Sequence, residues 1–277
     1  MKKLSVFGWP TYIWFCAFLI VPLILVFITS FLTRGTYGGI EWHFNSSHYT
    51  NIFRYEYIKI FLTTLKLAFT TSFLCLLIAY PIAWVLTTLP KQKRNMILMF
   101  LSVPFLTNLI IRVYAIKVFV GYDGPLQAIL KALHISYDQF SLTQNQVLVQ
   151  YGMVASYLPF MLFPIYVALE KFDYTLVEAA KDLGASNFRV LWDVLLPNTK
   201  MAIFNGFTLV LVPSLGEFVI PDLLGGAKNM LIGNLITEQF LKSRDWPAGS
   251  ALSIVLILML FAIPQIIKKF FLRQRRA

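Results

Sequence analysis

Six stretches of this chain are apolar for long enough, or nearly so, to cross a hydrocarbon layer, and shorter polar segments separate them. No Asp, Glu, Lys or Arg occurs in 9–32, 67–87, 139–169 or 247–267. Two further runs, 95–111 and 201–216, fall somewhat short of a full span, and each continues through one ionisable residue, Arg112 and Glu217 respectively. A hydrocarbon core of about 30 Å takes about 20 helical residues. The runs are continuous and lack the short-period alternation of a barrel strand, so they predict helices. The pattern therefore predicts an all-α membrane protein of one domain over 1–277, with six transmembrane helices at about 10–32, 59–88, 95–118, 142–169, 199–220 and 248–271.

The breakers refine this. Leu89-Pro90 ends the second helix beside a basic turn, and Pro81, Pro104, Pro159 and Pro164 lie inside the second, third and fourth helices, the last two as expected kinks. The segment 33–57 is rich in Gly, Tyr, Asn and Ser and reads as a loop. Asp123-Gly124-Pro125 reads as a turn before a short amphipathic helix at about 126–133, and 230–241 is a second amphipathic stretch. Between the fourth and fifth helices lies a polar island, 170–198, on which Leu176, Val177, Ala180 and Leu183 are expected to form one apolar stripe.

Composition excludes a soluble protein: 58% of residues are hydrophobic and only 13% are charged, about half the usual charged fraction. The net charge of +11 invites a nucleic-acid reading, which its distribution rejects. Of 24 Lys and Arg, 14 fall on one side of the six spans: Lys2, Lys3, Lys91, Lys93, Arg94, Lys171, Lys181, Arg189, Lys200, Lys268, Lys269, Arg273, Arg275 and Arg276. The positive-inside rule then predicts both termini and the 170–198 loop in the cytoplasm. The run after Met1-Lys2-Lys3 is too long for a signal peptide's core and lacks a cleavage site, so it counts as the first span. Cys16 and Cys75 lie inside spans, which implies no disulfide framework.

The polar island reads Glu178-Ala179-Ala180, three residues, Gly184, then Val194, Leu196 and Pro197. This resembles the signature loop of the integral-membrane subunits of bacterial ABC importers, with Val194 where that pattern has Ile. The physical case agrees: a short helix with small residues and a terminating glycine can dock by an apolar face in a groove of another subunit. The resemblance implies that Glu178, Ala179, Ala180, Gly184, Leu196 and Pro197 couple the chain to an ATPase. The chain carries no Gly-Lys-Ser/Thr phosphate loop, no nucleophile–base pair and no metal-ligand cluster, since His43, His48 and His134 all lie in loops. It therefore reads as no enzyme, with no catalytic or metal site and no cofactor of its own. ATP and Mg are expected in separate subunits.

Three further stretches narrow the resemblance: Asn108–Tyr114, Gly216–Asn229 and Arg244-Asp245-Trp246-Pro247 are similar to those of spermidine/putrescine importer permeases. That family implies the type I ABC importer permease fold in a bacterial inner membrane. It also implies a second, homologous permease as heterodimer partner, two ATPase subunits and an external polyamine-binding protein. Surrounding lipid is the remaining partner, and nucleic acid is none. Polyamines are chains of ammonium groups, so their path wants carboxylates and aromatic faces. Glu217 is the only acid inside a span, with Phe218 beside it and Asp222 about one turn further on. Two readings of Glu217 stand side by side: a substrate-pathway group with Phe218 and Asp222, or the counter-charge of Arg112 or Lys66. Arg112 itself reads as structural, because it would repel a cation. Rivals remain. One is an importer of another small solute, such as an amino-acid derivative or an oxyanion; an oxyanion pathway would make Arg112 and Lys117 the binding groups and Glu217 their counter-charge. An ion-coupled carrier would use Glu217 as its cation site.

Overall fold

The computed structural model describes residues 5–122, 124–134, 145–226 and 230–273. The first apolar run forms α1 (Ser5–Phe15) and α2 (Val21–Thr29), joined by a wider π-type turn at Cys16–Ile20. The most apolar part of this run, within Trp9–Thr29, buries nothing against the rest of the chain. It is held at its C-terminal end, where Thr29 Oγ1 donates to Ser250 Oγ (2.7 Å) and Ser30 Oγ shares a hydrogen bond with Tyr49 OH (2.8 Å). The segment read as loop contains a hairpin, β1 (Leu32–Arg34) antiparallel to β2 (Ile40–Phe44), and a short helix α3 (Ser47–Ile52). The hairpin is tied down at its turn and base: Gly39 N–H donates to Arg244 O (2.9 Å) and Arg34 Nη2 to Ser243 O (2.6 Å).

Helix α4 (Tyr55–Thr88) has 34 residues, about 51 Å at 1.5 Å per residue and so longer than a bilayer core. The third expected span departs from a single rod. It is α5 (Lys91–Leu106) and α6 (Leu109–Val120), and the stretch Lys91–Pro104 is bent by 87° from the stretch Leu109–Ala132. Pro104 has no N–H to extend α5, and Asn108 Oδ1 accepts from Ile110 N–H (2.8 Å) to start α6 afresh. A short helix α7 (Pro125–Ala132) follows, and Asp123 of the expected turn lies outside the described residues. Helix α8 (Gln146–Glu170) runs without interruption through Pro159 and Pro164; the first residues of that expected span, 142–144, are outside the described residues.

The island carries α9 (Thr175–Asp182). After a turn, α10 (Asn187–Arg189), a π-type stretch Val190–Leu195 and α11 (Leu196–Leu215) run on as one helix of 29 residues. The second half of the expected loop is thus already the fifth span. The chain closes with α12 (Ile232–Thr237), a π-type turn Glu238–Lys242 and α13 (Trp246–Arg273). Among the described residues five helices are long and apolar enough to cross a membrane, and the count is six if the bent pair after α4 is taken as one span.

The core lies between α4, α8 and α11. Ala68, Thr71, Ser72, Cys75, Ala79 and Ala83 repeat at three- and four-residue spacing along the buried face of α4. Such small side chains let membrane helices approach closely. Met153, Met161, Leu162, Ile165 and Leu169 of α8 and Ile203 and Val210 of α11 fill the space between. At Gly206 a Cβ would stand 2.9 Å from Met161 Sδ and 3.1 Å from the Met161 carbonyl oxygen, so a side chain there would force Met161 aside at that crossing. Tyr80 OH and Thr199 Oγ1, both buried, share a hydrogen bond of 3.1 Å between α4 and α11.

Candidate functional site

Two regions at opposite ends of α11 hold the residues singled out in the sequence. The first is the polar island. Asp173 Oδ1 accepts from Thr175 N–H (3.1 Å) and Thr175 Oγ1 (2.7 Å), which fixes the entry to α9. These bonds from Thr175 hold the Asp173 carboxyl below the usual aspartate range. At the other end Ala185 N–H reaches Ala180 O (3.0 Å) and Gly184 N–H reaches Lys181 O (2.8 Å), a Schellman closure. Gly184 sits at φ +80, where a side chain is strained, and this is why the motif needs glycine four residues after its second alanine.

The apolar stripe expected on α9 is split between two faces. Val177 is buried and Ala180 packs against the core, while Leu176 is exposed and Leu183 is 90% exposed. Positions 176 and 183 lie about 20° apart around a helix and 177 about 100° from 176, so they cannot share one narrow face. Val177 and Ala180 therefore fasten α9 to its own chain, assisted by Tyr174 OH on Thr87 Oγ1 (2.7 Å). Glu178, Ala179, Leu183 and Gly184 are left on the outer side. Nearby, the exposed rings of Phe188 and Trp192 pack 5.9 Å apart. Leu196 is half-buried and Pro197 is exposed. Pro197 brings no N–H to the helix, and Leu196 N–H bonds Leu191 O five residues back, the wider turn in which this stretch runs. Arg94 Nη2 pairs with Glu170 Oε1 at 3.0 Å at the root of the island.

The second region begins where α11 ends. Glu217 is buried, and its carboxylate is fully engaged within the chain. Oε1 accepts from Val219 N–H (2.8 Å) and Ile220 N–H (3.2 Å), and Oε2 accepts from Tyr157 OH of α8. It is thus the cap of the short helical segment 219–225. Neither Arg112 nor Lys66 makes an ion pair among the described residues; the ion pair found there is Arg94 with Glu170. Lys66 is exposed on α4. Arg112 Nη2 donates to the carbonyl oxygen of Pro104 and to the carbonyl oxygen and hydroxyl of Thr107 (3.3 Å each). It thereby satisfies carbonyls freed by the break between α5 and α6. Charge pairing between Glu217 and Arg112 is thus replaced by two separate helix-end contacts.

Phe218 and Asp222 do face open space, a cavity of about 430 Å³ that is also lined by Asn234, Thr237, Glu238 and Lys242. Glu217 is not among the lining residues and lies behind them, holding the segment that carries Asp222. Sequence reasoning missed Tyr157, Asn234 and Glu238. Tyr157 sits on an apolar helix with no local partner to mark it. Asn234, Thr237 and Glu238 share a helical i, i+3, i+4 spacing that could have grouped them.

Comparison with known proteins agrees with this architecture. The description "Binding-protein-dependent transport system inner membrane component" matches residues 76–276. The spermidine/putrescine transport system permease protein PotB of Haemophilus influenzae is 39% identical over 247 residues, covering 89% of this chain and 86% of that protein. PotB of Escherichia coli K12 is 39% identical over 247 residues, covering 89% and 90%. A bacterial alginate ABC transporter, solved in complex with an alginate pentasaccharide-bound periplasmic protein, contains a chain of the same fold. Its TM-score is 0.78 at 16% identity, covering 99% of this chain and 95% of that one. With its apolar helices, its fold and a family match over most of its length, the chain is a multi-pass protein of the bacterial inner membrane and belongs to the binding-protein-dependent transport system inner membrane components.

Proposed function

We propose that the chain is one of two different permease subunits of an ATP-driven importer that carries polyamines, spermidine and putrescine, into the cytoplasm. The observation behind the substrate is the cavity at the end of α11, where the Asp222 carboxylate forms no ion pair with a described residue and stands beside the face-bearing ring of Phe218. A carboxylate and an aromatic surface are the groups that recognise a flexible chain of ammoniums. The 39% identity to permeases named for spermidine and putrescine points to the same chemistry.

The charge pattern puts both termini and α9 in the cytoplasm and the cavity on the outside. On this reading an external polyamine-binding protein delivers substrate to the cavity side. Two ATPase subunits, which hold ATP and Mg, engage the outer face of α9 through Glu178, Ala179 and Gly184 and its continuation at Leu196-Pro197, while Ala180 seats the helix on its own chain. Closure of the ATPase pair moves α9, and because it is fastened to α4 and followed by α11, the spans move with it and the path opens outward. Hydrolysis resets it inward. Glu217 and Tyr157 support the pathway by holding the segment that bears Phe218 and Asp222.

The test is uptake of labelled spermidine and putrescine by proteoliposomes holding the full complex, with ATP and loaded binding protein. Accumulation against a gradient that stops without ATP is expected. An assembled, ATPase-active complex that accumulates neither amine overturns the substrate assignment.

A further inference from the structure

The cavity has a second wall that the substrate reading so far leaves unused. Phe218 and Asp222 stand four residues apart on the segment after α11 and form one wall. Asn234 and Thr237 of α12 and Glu238, which opens the following π-type turn, stand on one helical face and form the other. The walls are clipped together by Asn234 Nδ2, which donates to Phe218 O at 2.8 Å. Glu238 makes no ion pair among the described residues, although Lys242 lines the same cavity one turn further on.

Two carboxylates that share a cavity repel each other while it is empty, and a cation between them relieves that repulsion. One ammonium needs only one of them. A chain with two or more ammonium groups separated by methylenes can use both at once and lay its stem against Phe218. We propose that Glu238 is the second carboxylate of the entry vestibule, so that Asp222 and Glu238 hold different ammonium groups of one polyamine. Lys242, which lines the same cavity, weakens the site's hold and eases release. This rests on the polyamine reading and assigns one more residue to it.

The experiment measures polyamine uptake and ATP hydrolysis together in proteoliposomes of the full complex, with saturating loaded binding protein. The expected result for Glu238→Gln is an uptake rate lower by about twofold to fivefold, the scale of one partly exposed charge pair. ATPase stimulation by the loaded binding protein stays near the wild-type level, so more ATP is spent per amine moved. Glu238→Asp restores most of the uptake, and Lys242→Gln slows substrate release without lowering ATPase activity. A merely structural role for Glu238 would lower uptake and ATPase activity together, and that outcome overturns the inference. So does wild-type uptake in Glu238→Gln. If the wild-type complex moves no polyamine at all, the functional reading itself falls, and the two failures are told apart by that control.

Discussion

Glutamine at position 217 distinguishes a capping carboxylate from a substrate-binding one. The Glu217 carboxylate takes two backbone N–H groups on Oε1 and the Tyr157 hydroxyl on Oε2. In Glu217→Gln the amide oxygen can still accept from Val219 and Ile220, and the amide NH₂ can donate to the Tyr157 oxygen. Every hydrogen bond survives with weaker neutral partners, and the expected loss is about 1 kcal/mol. Glu217→Ala strips all three at once from a buried position. Loss of a cap costs about 1 kcal/mol and loss of a hydrogen bond to a charged group about 1.5–3 kcal/mol, so the total comes to about 2.5–4 kcal/mol. The alanine variant should therefore show a clearly lowered Tm in detergent and little uptake, whereas the glutamine variant should keep most of both. Tyr157→Phe should fall between them. The assays are thermal unfolding of the purified complex and ATP-driven polyamine uptake. If glutamine abolishes uptake while Tm stays at the wild-type value, the negative charge itself is required, and Glu217 contacts the substrate.

Two further expectations concern the polar island. Gly184→Ala places a Cβ at φ +80, at a cost of about 1–2 kcal/mol, and should loosen the closure of α9. Uptake per ATP should drop, and since nothing lies within 4 Å of that Cβ, a well-folded variant with normal coupling would refute the strain argument. The Asp173 carboxyl is held below its usual value of 3.8, so its contribution to the α9 entry turn is complete above that value and is lost as pH falls through the lowered one. Hydrogen exchange across Thr175–Asp182, corrected for intrinsic rates, should speed up only at strongly acidic pH in the wild type. In Asp173→Asn it should already be faster at neutral pH.

Much of the architecture was legible because the bilayer sets a length that charge-free runs must meet, and those runs can be read by eye. The break at Pro104–Asn108 was not legible as a break, because Pro159 and Pro164 sit in equally apolar sequence and leave α8 uninterrupted. What separates the cases is the Asn108 cap and the Arg112 guanidinium, which give the freed carbonyls and the new helix start their partners. The hairpin at 32–44 was lost for a different reason: its strands are short, and their anchor is a loop some 200 residues away. For Glu217 the sequence marked the right residue but could not assign its partner. An acid in an apolar run invites a search for distant cations, whereas its donors were two backbone groups within three residues and a tyrosine on another helix. The positions of α9 were set correctly as a helix, but which side faced inward depended on Thr87, which sequence spacing could not supply.

The helix from Asn187 to Leu215 starts among polar residues and ends at the glycine before Glu217. Its 29 residues make a rod about 43 Å long. Mechanically it is a lever whose helical backbone continues from one end to the other. A tilt of about 5° about one end displaces the other by roughly 4 Å over that length, more than the length of a hydrogen bond. On the proposed coupling, force applied beside Phe188 would reach the far end as motion large enough to part Phe218 from Asn234.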